Sequence, residues 1–257
     1  MARRPRRPWS PPPAETPRPT SAAGVPRDAQ GADWHSDRMD ALRVRWRADC
    51  TPVAGGASAD TVDDVGTDLL RRWHEPHRRY HATTHLAEVL AAVDELCAVG
   101  AVNGTSRSVA ALAAWFHDAV YDVDPDNANE AESASLAARQ LGRLPVDPEL
   151  TARVVAVVLD TASHELTPQA AADPARVVVH DADLWVLSAP VDRFDEYCAQ
   201  VREEYAHVPM ALYATARSKV LRPFLVRDHV YRTSHARSEW EPAARENLAR
   251  ELTRLAG

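Results

Sequence analysis

The sequence is poor in the residues and motifs that mark several common classes of protein. It has only three cysteines among 257 residues, Cys50, Cys97 and Cys198, which lie far apart and form no CxxC pair. An odd number of scattered cysteines predicts reduced, buried thiols and argues against a disulfide framework or a zinc–thiolate site. No GxGxxG, GxxxxGK[ST] or GxSxG is present, so no motif predicts a dinucleotide-binding fold, a P-loop or an esterase.

Long hydrophobic runs are also missing. The richest apolar stretch, VVAVVLDTA, is interrupted by Asp160, and it is far shorter than the roughly 20 residues that cross a bilayer. We therefore expect no membrane partner. The formal net charge is -7, which argues against a basic surface that binds nucleic acid.

Proline and arginine are concentrated near the N-terminus. Eight of the nineteen prolines lie in residues 1–26, and six arginines lie in residues 1–35 against three acidic residues. This composition offers little apolar surface to bury, so we predict a disordered tail over residues 1–33. The arginines precede neither an apolar segment nor a small-residue cleavage site, which argues against export and predicts a cytoplasmic protein.

The rest of the chain, residues 34–257, has a helical pattern nearly throughout. Apolar residues recur at three- and four-residue steps, as they do on one face of a helix. The β-branched run from Val154 to Leu159 favours a strand, but a single strand would have no partner. We predict one all-α domain, with helices over residues 37–49, 60–74, 81–99, 106–117, 129–142, 147–162, 191–206, 209–229 and 239–256.

Three histidines follow Pro76 at four-residue steps in the stretch EPHRRYHATTHLAE. Proline suits the first turn of a helix, because its missing N–H is not needed there. We therefore expect His81 and His85 to lie one turn apart on the same helical face.

Two His-Asp pairs occur further along the chain. His117-Asp118 ends the apolar segment VAALAAWFHDAVYD, where a charged pair is costly unless something binds it. The second pair, His180-Asp181, is followed two residues later by Asp183 at the start of another apolar turn.

Five sequence blocks occur in a characteristic order: EPHRRYHATTH, HDAVYD, NEAESA, ADLWVLS and REEY. They resemble the blocks EPxRxYHxxxH, HDxVYD, NExxSA, aDLxxLG and RxEY of a bacterial group of predicted phosphohydrolases in the HD-domain superfamily. YHATTHLAEV also resembles a signature of the cyclic-nucleotide phosphodiesterases. The resemblance extends from about Trp34 to the C-terminus. It implies a single HD-domain helical bundle that hydrolyses a phosphate ester or anhydride, with nucleotides as the natural substrate class.

The resemblance implies that His85, His117, Asp118 and Asp183 bind a divalent metal ion and that His81 gives a proton to the leaving group. Two imidazoles and two carboxylates suit Mn, Fe, Co, Ni, Zn or Mg and leave room for water and a phosphate oxygen. A metal ion there lowers the pKa of bound water towards roughly 7, so metal-activated water is the expected nucleophile. Asp118, as a ligand of that ion, is also a candidate catalytic residue. A ligated imidazole cannot titrate freely, which favours the unligated His81 as the general acid.

Two further residues are candidates near this metal. In the resembling group the NE block lies close to it, so Glu130 is a candidate to orient the attacking water. Alternatively, Glu130 is only a first-turn acid that complements the dipole of its helix. Ser133, in the same NEAESA block, is then only a surface residue. His164 is a candidate ligand of a second metal ion, or else a cation at the end of a helix.

Arg78, Tyr80 and Arg222 are the candidate substrate-binding residues. An arginine can bind phosphate through two parallel hydrogen bonds, although these arginines and Arg202 also fit surface ion pairs. The sequence favours two further sets as structural: the core aromatics Trp73, Trp115 and Trp185, and the solvated histidines His74 and His77.

Two other functions remain open. A di-iron oxygenase would need His164 and one further histidine as ligands of a second iron. A non-catalytic module would keep the metal pocket and bind a nucleotide without turnover.

Overall fold

The computed structural model describes residues 27–124 and 127–257, with side chains from residue 37 onward. Every regular element within these residues is helical, which confirms the predicted all-α class. Arg38–Gly257 form one compact unit. The first 26 residues of the predicted tail lie outside the described residues, and the described backbone begins in a helix at Arg27.

The helices of the described residues are numbered in chain order. They are α1 (Arg27–Cys50), α2 (Ala59–Trp73), α3 (Thr83–Ala98), α4 (Gly104–Phe116), α5 (Asn129–Leu141), α6 (Pro148–Asp160), α7 (Pro174–Asp183), α8 (Val191–Glu204), α9 (Met210–Val226), α10 (Ser234–Glu239) and α11 (Glu241–Ala256). Two short 3-10 helices, Ala170–Ala172 and Leu184–Ser188, flank α7.

Two helices were not predicted. Helix α7 has clear start signals, because Asp173 accepts a hydrogen bond from the backbone N–H of Ala175 and Pro174 occupies the first turn. An aspartate cap followed by proline is a common helix start. Helix α10 has only six residues and begins after Thr233, which caps it in the same way. The run from Val154 to Leu159 lies in α6, so the strand alternative is wrong.

Helix α4 lies at the centre of the core. Its residues from Val109 to Phe116 are all buried, and it contacts α3, α5, α6 and α7. Helices α3 and α7 also contact each other. Three mutually packed helices therefore meet near the C-terminal end of α4, where His117 follows the last helical residue.

Two of the predicted core aromatics lie in this core. Trp73 and Trp115 are fully buried, as predicted, and the Trp73 Nε1 donates a hydrogen bond to the Trp115 carbonyl at 3.0 Å. The three cysteines are free. No helix in the described part of the chain has the length and apolarity needed to cross a membrane.

Candidate metal centre and its cavity

Four side chains meet at one site, two from helices α3 and α7 and two from the segment that directly follows α4. His85 lies in the first turn of α3, His117 and Asp118 follow α4, and Asp183 is the last residue of α7. The two imidazole Nε2 atoms are 3.1 Å apart. Asp118 Oδ2 lies 3.6 Å from His85 Nε2 and 3.3 Å from His117 Nε2. Asp183 Oδ1 lies 3.2 Å and 3.4 Å from the same two atoms.

The orientation of His117 is fixed by its second ring nitrogen. Its Nδ1 donates a hydrogen bond to the Ala114 carbonyl at 2.9 Å, which leaves Nε2 with the lone pair that faces the other three side chains. Metal-binding histidines commonly use this arrangement, because the outer hydrogen bond fixes both tautomer and ring angle. The Trp73 ring packs against this imidazole, with ring centroids 5.4 Å apart.

The imidazoles and carboxylates of the cluster shift one another's pKa values in opposite directions. Burial lowers the pKa of His117, but the Asp118 and Asp183 carboxylates raise it by more, so the pKa lies well above its ordinary value. Burial raises the pKa of Asp118, but His117 and His85 lower it by more, to well below its ordinary value. Buried carboxylates of this kind need a cation close by.

The donor set fits a divalent cation. His85, His117 and Asp118 place their ligand atoms within 4.8 Å of one another, and Asp183 Oδ1 approaches both imidazoles. Two Nε2 atoms at 3.1 Å cannot both carry a proton, whereas both lone pairs can point at one ion. Nitrogen and carboxylate ligands together suit borderline divalent metals.

His81 lies in a loop, and this corrects the predicted helix over residues 81–99. Helix α3 begins only at Thr83, after an extended Ala82 with φ -126° and ψ -174°. Pro76 is therefore not in the first turn of that helix, and His81 and His85 are not one helical turn apart. Their ring centroids are still only 5.9 Å apart.

The physical reason is a buried carboxylate that holds the loop. Glu204, the last residue of α8, accepts hydrogen bonds on Oε1 from the backbone N–H groups of Arg79, Tyr80 and His81 at 2.7, 2.9 and 3.0 Å. These three N–H groups would otherwise be unsatisfied in a buried loop. The tertiary contact thus replaces the helical turn that the sequence pattern predicts.

Glu204 also orients the His81 ring. Its Oε2 lies 2.7 Å from His81 Nδ1 and accepts a hydrogen bond from the Tyr121 hydroxyl at 2.9 Å. Tyr121 stacks on the His81 ring, with centroids 4.0 Å apart. Burial raises the pKa of Glu204, but the His81 and backbone hydrogen bonds lower it by more, to about 2. Glu204 is therefore ionised at neutral pH, and His81 Nε2 is left without a protein partner among the described residues.

Arg78 is not available to a substrate, so its prediction as a phosphate ligand is wrong. Its side chain is fully buried, and Nη1 donates to the carbonyls of His81 and Asp118 at 3.0 and 2.7 Å. Nη2 donates to the Ala119 carbonyl, while Nε donates to Glu75. Arg78 instead joins the His81 loop to the segment that carries Asp118.

A cavity of about 310 Å³ opens beside the four clustered side chains. Its volume is at the lower end of the roughly 300–1,000 Å³ typical of small-molecule sites. Its lining includes both polar and apolar side chains. The polar residues are His81, His85, Asp118, Asn129, Glu130, Thr161, His164 and Asp183; the others include Tyr80, Leu184, Val186, Leu187, Tyr197, Val201, Arg217, Leu221 and Phe224.

Some of the other predicted residues line the cavity and some do not. Glu130 lines it, as does Tyr80, whose hydroxyl makes no hydrogen bond within the described residues. Ser133 is fully buried rather than at the surface, because its Oγ bonds both the N–H and the carbonyl of Val120. His74 and His77 are exposed and do not line the cavity.

Arg222 was predicted to bind substrate, but it lies outside the cavity wall. A different arginine of the same helix, Arg217, lines the cavity. Arg222 is exposed, whereas Arg217, five residues earlier on α9, lines the cavity. Tyr213, Leu221 and Phe224 form the buried face of this helix. Arg217 lies on the same face, four residues after Tyr213 and four before Leu221. A charge within an apolar helical stripe is the signal that could have found it. Arg202 donates to backbone carbonyls and also lies outside the cavity wall.

His164 lies on the far side of the Asp183 carboxylate. Its Nδ1 is 3.8 Å from Asp183 Oδ2, the oxygen that does not face His85 and His117. His164 has a φ of 50°, a left-handed conformation that non-glycine residues adopt infrequently. Its carbonyl accepts hydrogen bonds from His180 Nε2 at 3.2 Å and Arg227 Nη1 at 3.4 Å, which hold the loop in place.

Comparisons of the chain with protein-family models, with curated proteins and with solved structures found no match. The resemblance to the HD-domain phosphohydrolases therefore stays a prediction from the sequence blocks.

Proposed function

We propose that this chain is a metal-dependent phosphohydrolase that cleaves a phosphate ester or anhydride. The observation that carries the proposal is the convergence of His85, His117, Asp118 and Asp183 beside a polar cavity. Such a cluster can bind a metal ion and still present it to a ligand from the cavity side. Nucleotides are the proposed substrate class, and they come from the resemblance of the sequence blocks.

The four clustered residues would hold one divalent ion, for which Mn, Fe, Co, Ni, Zn and Mg are the candidates. When bound, such an ion makes water a nucleophile near neutral pH and neutralises phosphate charge. Asp118 and Asp183 supply two negative charges to the ion. The two imidazoles, both buried, supply neutral nitrogen ligands and keep bulk water away.

His81 is the proposed proton donor to the leaving oxygen. Glu204 holds its Nδ1, and Tyr121 stacks on one face of the ring. Its Nε2 is then free to carry a proton to the oxygen that departs when the bond to phosphorus breaks. A general acid placed in this way contributes roughly 100- to 10,000-fold to a rate.

Glu130 and Tyr80 complete the proposed substrate site. Glu130 lies in the first turn of α5 and lines the cavity, where its carboxylate can accept a hydrogen bond from the attacking water. Burial and the nearby Tyr197 raise the pKa of Tyr80 well above its ordinary value, so its hydroxyl stays protonated and can donate to a phosphate oxygen.

Metal analysis combined with a phosphate-release screen tests the proposal. The purified protein is loaded separately with Mn, Co, Mg and Fe, and phosphate release is measured over nucleoside mono-, di- and triphosphates and cyclic nucleotides. We expect about one metal ion per chain and release with at least one metal. His85→Ala should lose both, whereas the exposed His77→Ala should lose neither. Metal binding without turnover on any nucleotide would favour the sensing module instead.

The position of His164 favours a second candidate, the di-iron oxygenase. Asp183 and His164 would hold the second ion, since His164 Nδ1 lies 3.8 Å from Asp183 Oδ2. The further histidine that this requires is not evident, because His180 is held by Asp181 and by the His164 carbonyl. Two irons per chain together with oxygen consumption would support the oxygenase.

A further inference from the structure

Arg217 is a partly buried cation that has no carboxylate partner. It lies on α9 and lines the cavity. Its Nη2 donates to the Tyr197 hydroxyl, and its guanidinium lies 5.0 Å from the centre of the Tyr197 ring. Its Nε is buried without a hydrogen-bond partner. No Asp or Glu of the described residues forms an ion pair with it.

Two other partly buried arginines of this chain are paired with carboxylates, and two more, Arg202 and Arg227, donate to backbone carbonyls. Arg193 binds Glu88 through two nitrogens, and Arg153 binds Asp173 in the same way. A guanidinium is always charged, and removing it from water is costly unless a negative group compensates. Among the described residues that line the cavity, Arg217 is the only one with a permanent positive charge. An anion that enters the cavity would supply the negative partner that no carboxylate of the described residues supplies.

Arg217 is separated from the clustered ligands by a row of aromatic rings. Its guanidinium lies over Tyr197, the Tyr197 and Tyr80 ring centroids are 4.5 Å apart, and those of Tyr80 and His85 are 4.6 Å apart. The rings of Tyr197 and Tyr80 therefore lie between Arg217 and His85 in this row of contacts, and all four residues line the cavity.

We propose that Arg217 binds a second acidic group of the substrate, a phosphate or a carboxylate carried by the leaving group. This inference rests on the proposed phosphohydrolase function, because it takes the scissile phosphate to lie at His85, His117, Asp118 and Asp183. The substrate class is then a compact phosphate ester or anhydride with two separated anionic groups and an apolar or aromatic part between them. Arginine suits the distant group, since its planar fork can bind two oxygens at once.

Binding of three phosphonates to the metal-loaded full chain tests the inference without turnover. The probes are phenylphosphonate, 4-carboxyphenylphosphonate and benzene-1,4-diphosphonate, and calorimetry gives each Kd. We expect one or both doubly acidic probes to bind about 10- to 100-fold more tightly than phenylphosphonate, as a charge-assisted hydrogen bond would produce. A gain for the carboxylate, the diphosphonate or both identifies which acidic group is accepted. Equal Kd values for all three probes would overturn the inference.

Arg217→Met should remove the gain and leave the Kd of phenylphosphonate unchanged within about twofold. Arg222→Met is the matched control, because it removes an exposed arginine of the same helix, and it should keep the gain. If Arg217→Met loses helical circular dichroism or metal content, Arg217→Gln and Arg217→Lys are measured, with the gain lost in the first and partly kept in the second. A gain that persists in a folded Arg217 variant contradicts the inference.

The inference and the proposed function can fail separately. If no nucleotide or phosphate ester releases phosphate, yet the Arg217-dependent gain is present, the hydrolase proposal is wrong and the anion site stands. If phosphate is released and the gain is absent, the hydrolase proposal stands and Arg217 has only a structural role.

Discussion

The chain contains two His-Asp pairs with identical sequences and opposite surroundings. Asp118 lines the cavity, and its Oδ2 lies 3.3 Å from His117 Nε2. His180 and Asp181 are buried and do not line this cavity. Asp181 accepts backbone hydrogen bonds from Arg232 and Thr233 at 2.8 and 2.7 Å.

The difference teaches that the dipeptide carries no function by itself. On a helix, residues two positions apart point to nearly opposite sides. Asp183, two residues after Asp181, therefore faces His85 and His117, whereas Asp181 anchors the loop before α10. The same substitutions in both pairs should separate a ligand from an anchor.

Asp118→Asn should give the largest effect. An amide is a poorer ligand than a carboxylate and leaves the buried imidazoles with less negative charge beside them. We expect the metal affinity to fall by more than about 100-fold, together with any phosphate release. Metal content after dialysis against a fixed free metal concentration is the measurement. Full metal occupancy in the variant would remove Asp118 from the ligand set.

His81→Ala should lower the rate of phosphate release by about 100- to 10,000-fold and leave the metal content largely unchanged. The reason is that the His81 ring is hydrogen-bonded to Glu204, not to a clustered ligand, and stacks on Tyr121. Rates and metal content are measured on the same preparation. Loss of the metal would show that His81 is a ligand, and the division of roles between His81 and His85 would then be wrong.

Asp181→Asn is the matched change in the second pair, and it should cost stability rather than metal. The amide cannot replace a buried carboxylate that accepts two backbone N–H groups and contacts His180 at 2.9 Å. We expect a loss of about 2–4 kcal/mol in the free energy of unfolding, measured by urea denaturation. Unchanged stability with reduced metal content would reverse the roles of the two pairs.

The pH dependence of stability should report on Glu204. Its pKa in the folded chain is about 2, below the ordinary value of 4.5. Its contribution is therefore fully present above about pH 4.5 and is lost as the pH falls towards 2. Glu204→Gln should lower the free energy of unfolding by on the order of 3 kcal/mol at pH 7. The curves of the wild type and the variant should converge near pH 2, and parallel curves would contradict this account.

The four candidate ligands could be predicted because their residue types and their order along the chain resemble the ligand pattern of the HD-domain phosphohydrolases. His85, His117, Asp118 and Asp183 were all named from the sequence, and the structure brings each carboxylate within 3.2–3.6 Å of both imidazole Nε2 atoms, which are 3.1 Å apart. The start of α3 was not predictable, because Glu204 is 123 residues from His81 in the chain. A local pattern cannot include a hydrogen bond formed at that separation.

The arginines show the same limit. Arg78 was predicted to bind substrate, yet its guanidinium donates hydrogen bonds to three backbone carbonyls. Arg217 was overlooked although it interrupts the apolar face of α9. Which arginine is paired depends on neighbours from distant helices, and composition treats all of them alike.

By itself, the sequence determined the all-α class, most of the helices and the side-chain types that a metal site requires. Helical periodicity and capping are local properties, so they can be read without knowledge of the fold. Only the tertiary structure decided that His81 leaves the helix, that the two His-Asp pairs differ and that Arg217 rather than Arg222 faces the cavity. Each of these depends on contacts between helices far apart in the chain, because burial removes water as an alternative partner and forces every polar group to find one in the fold.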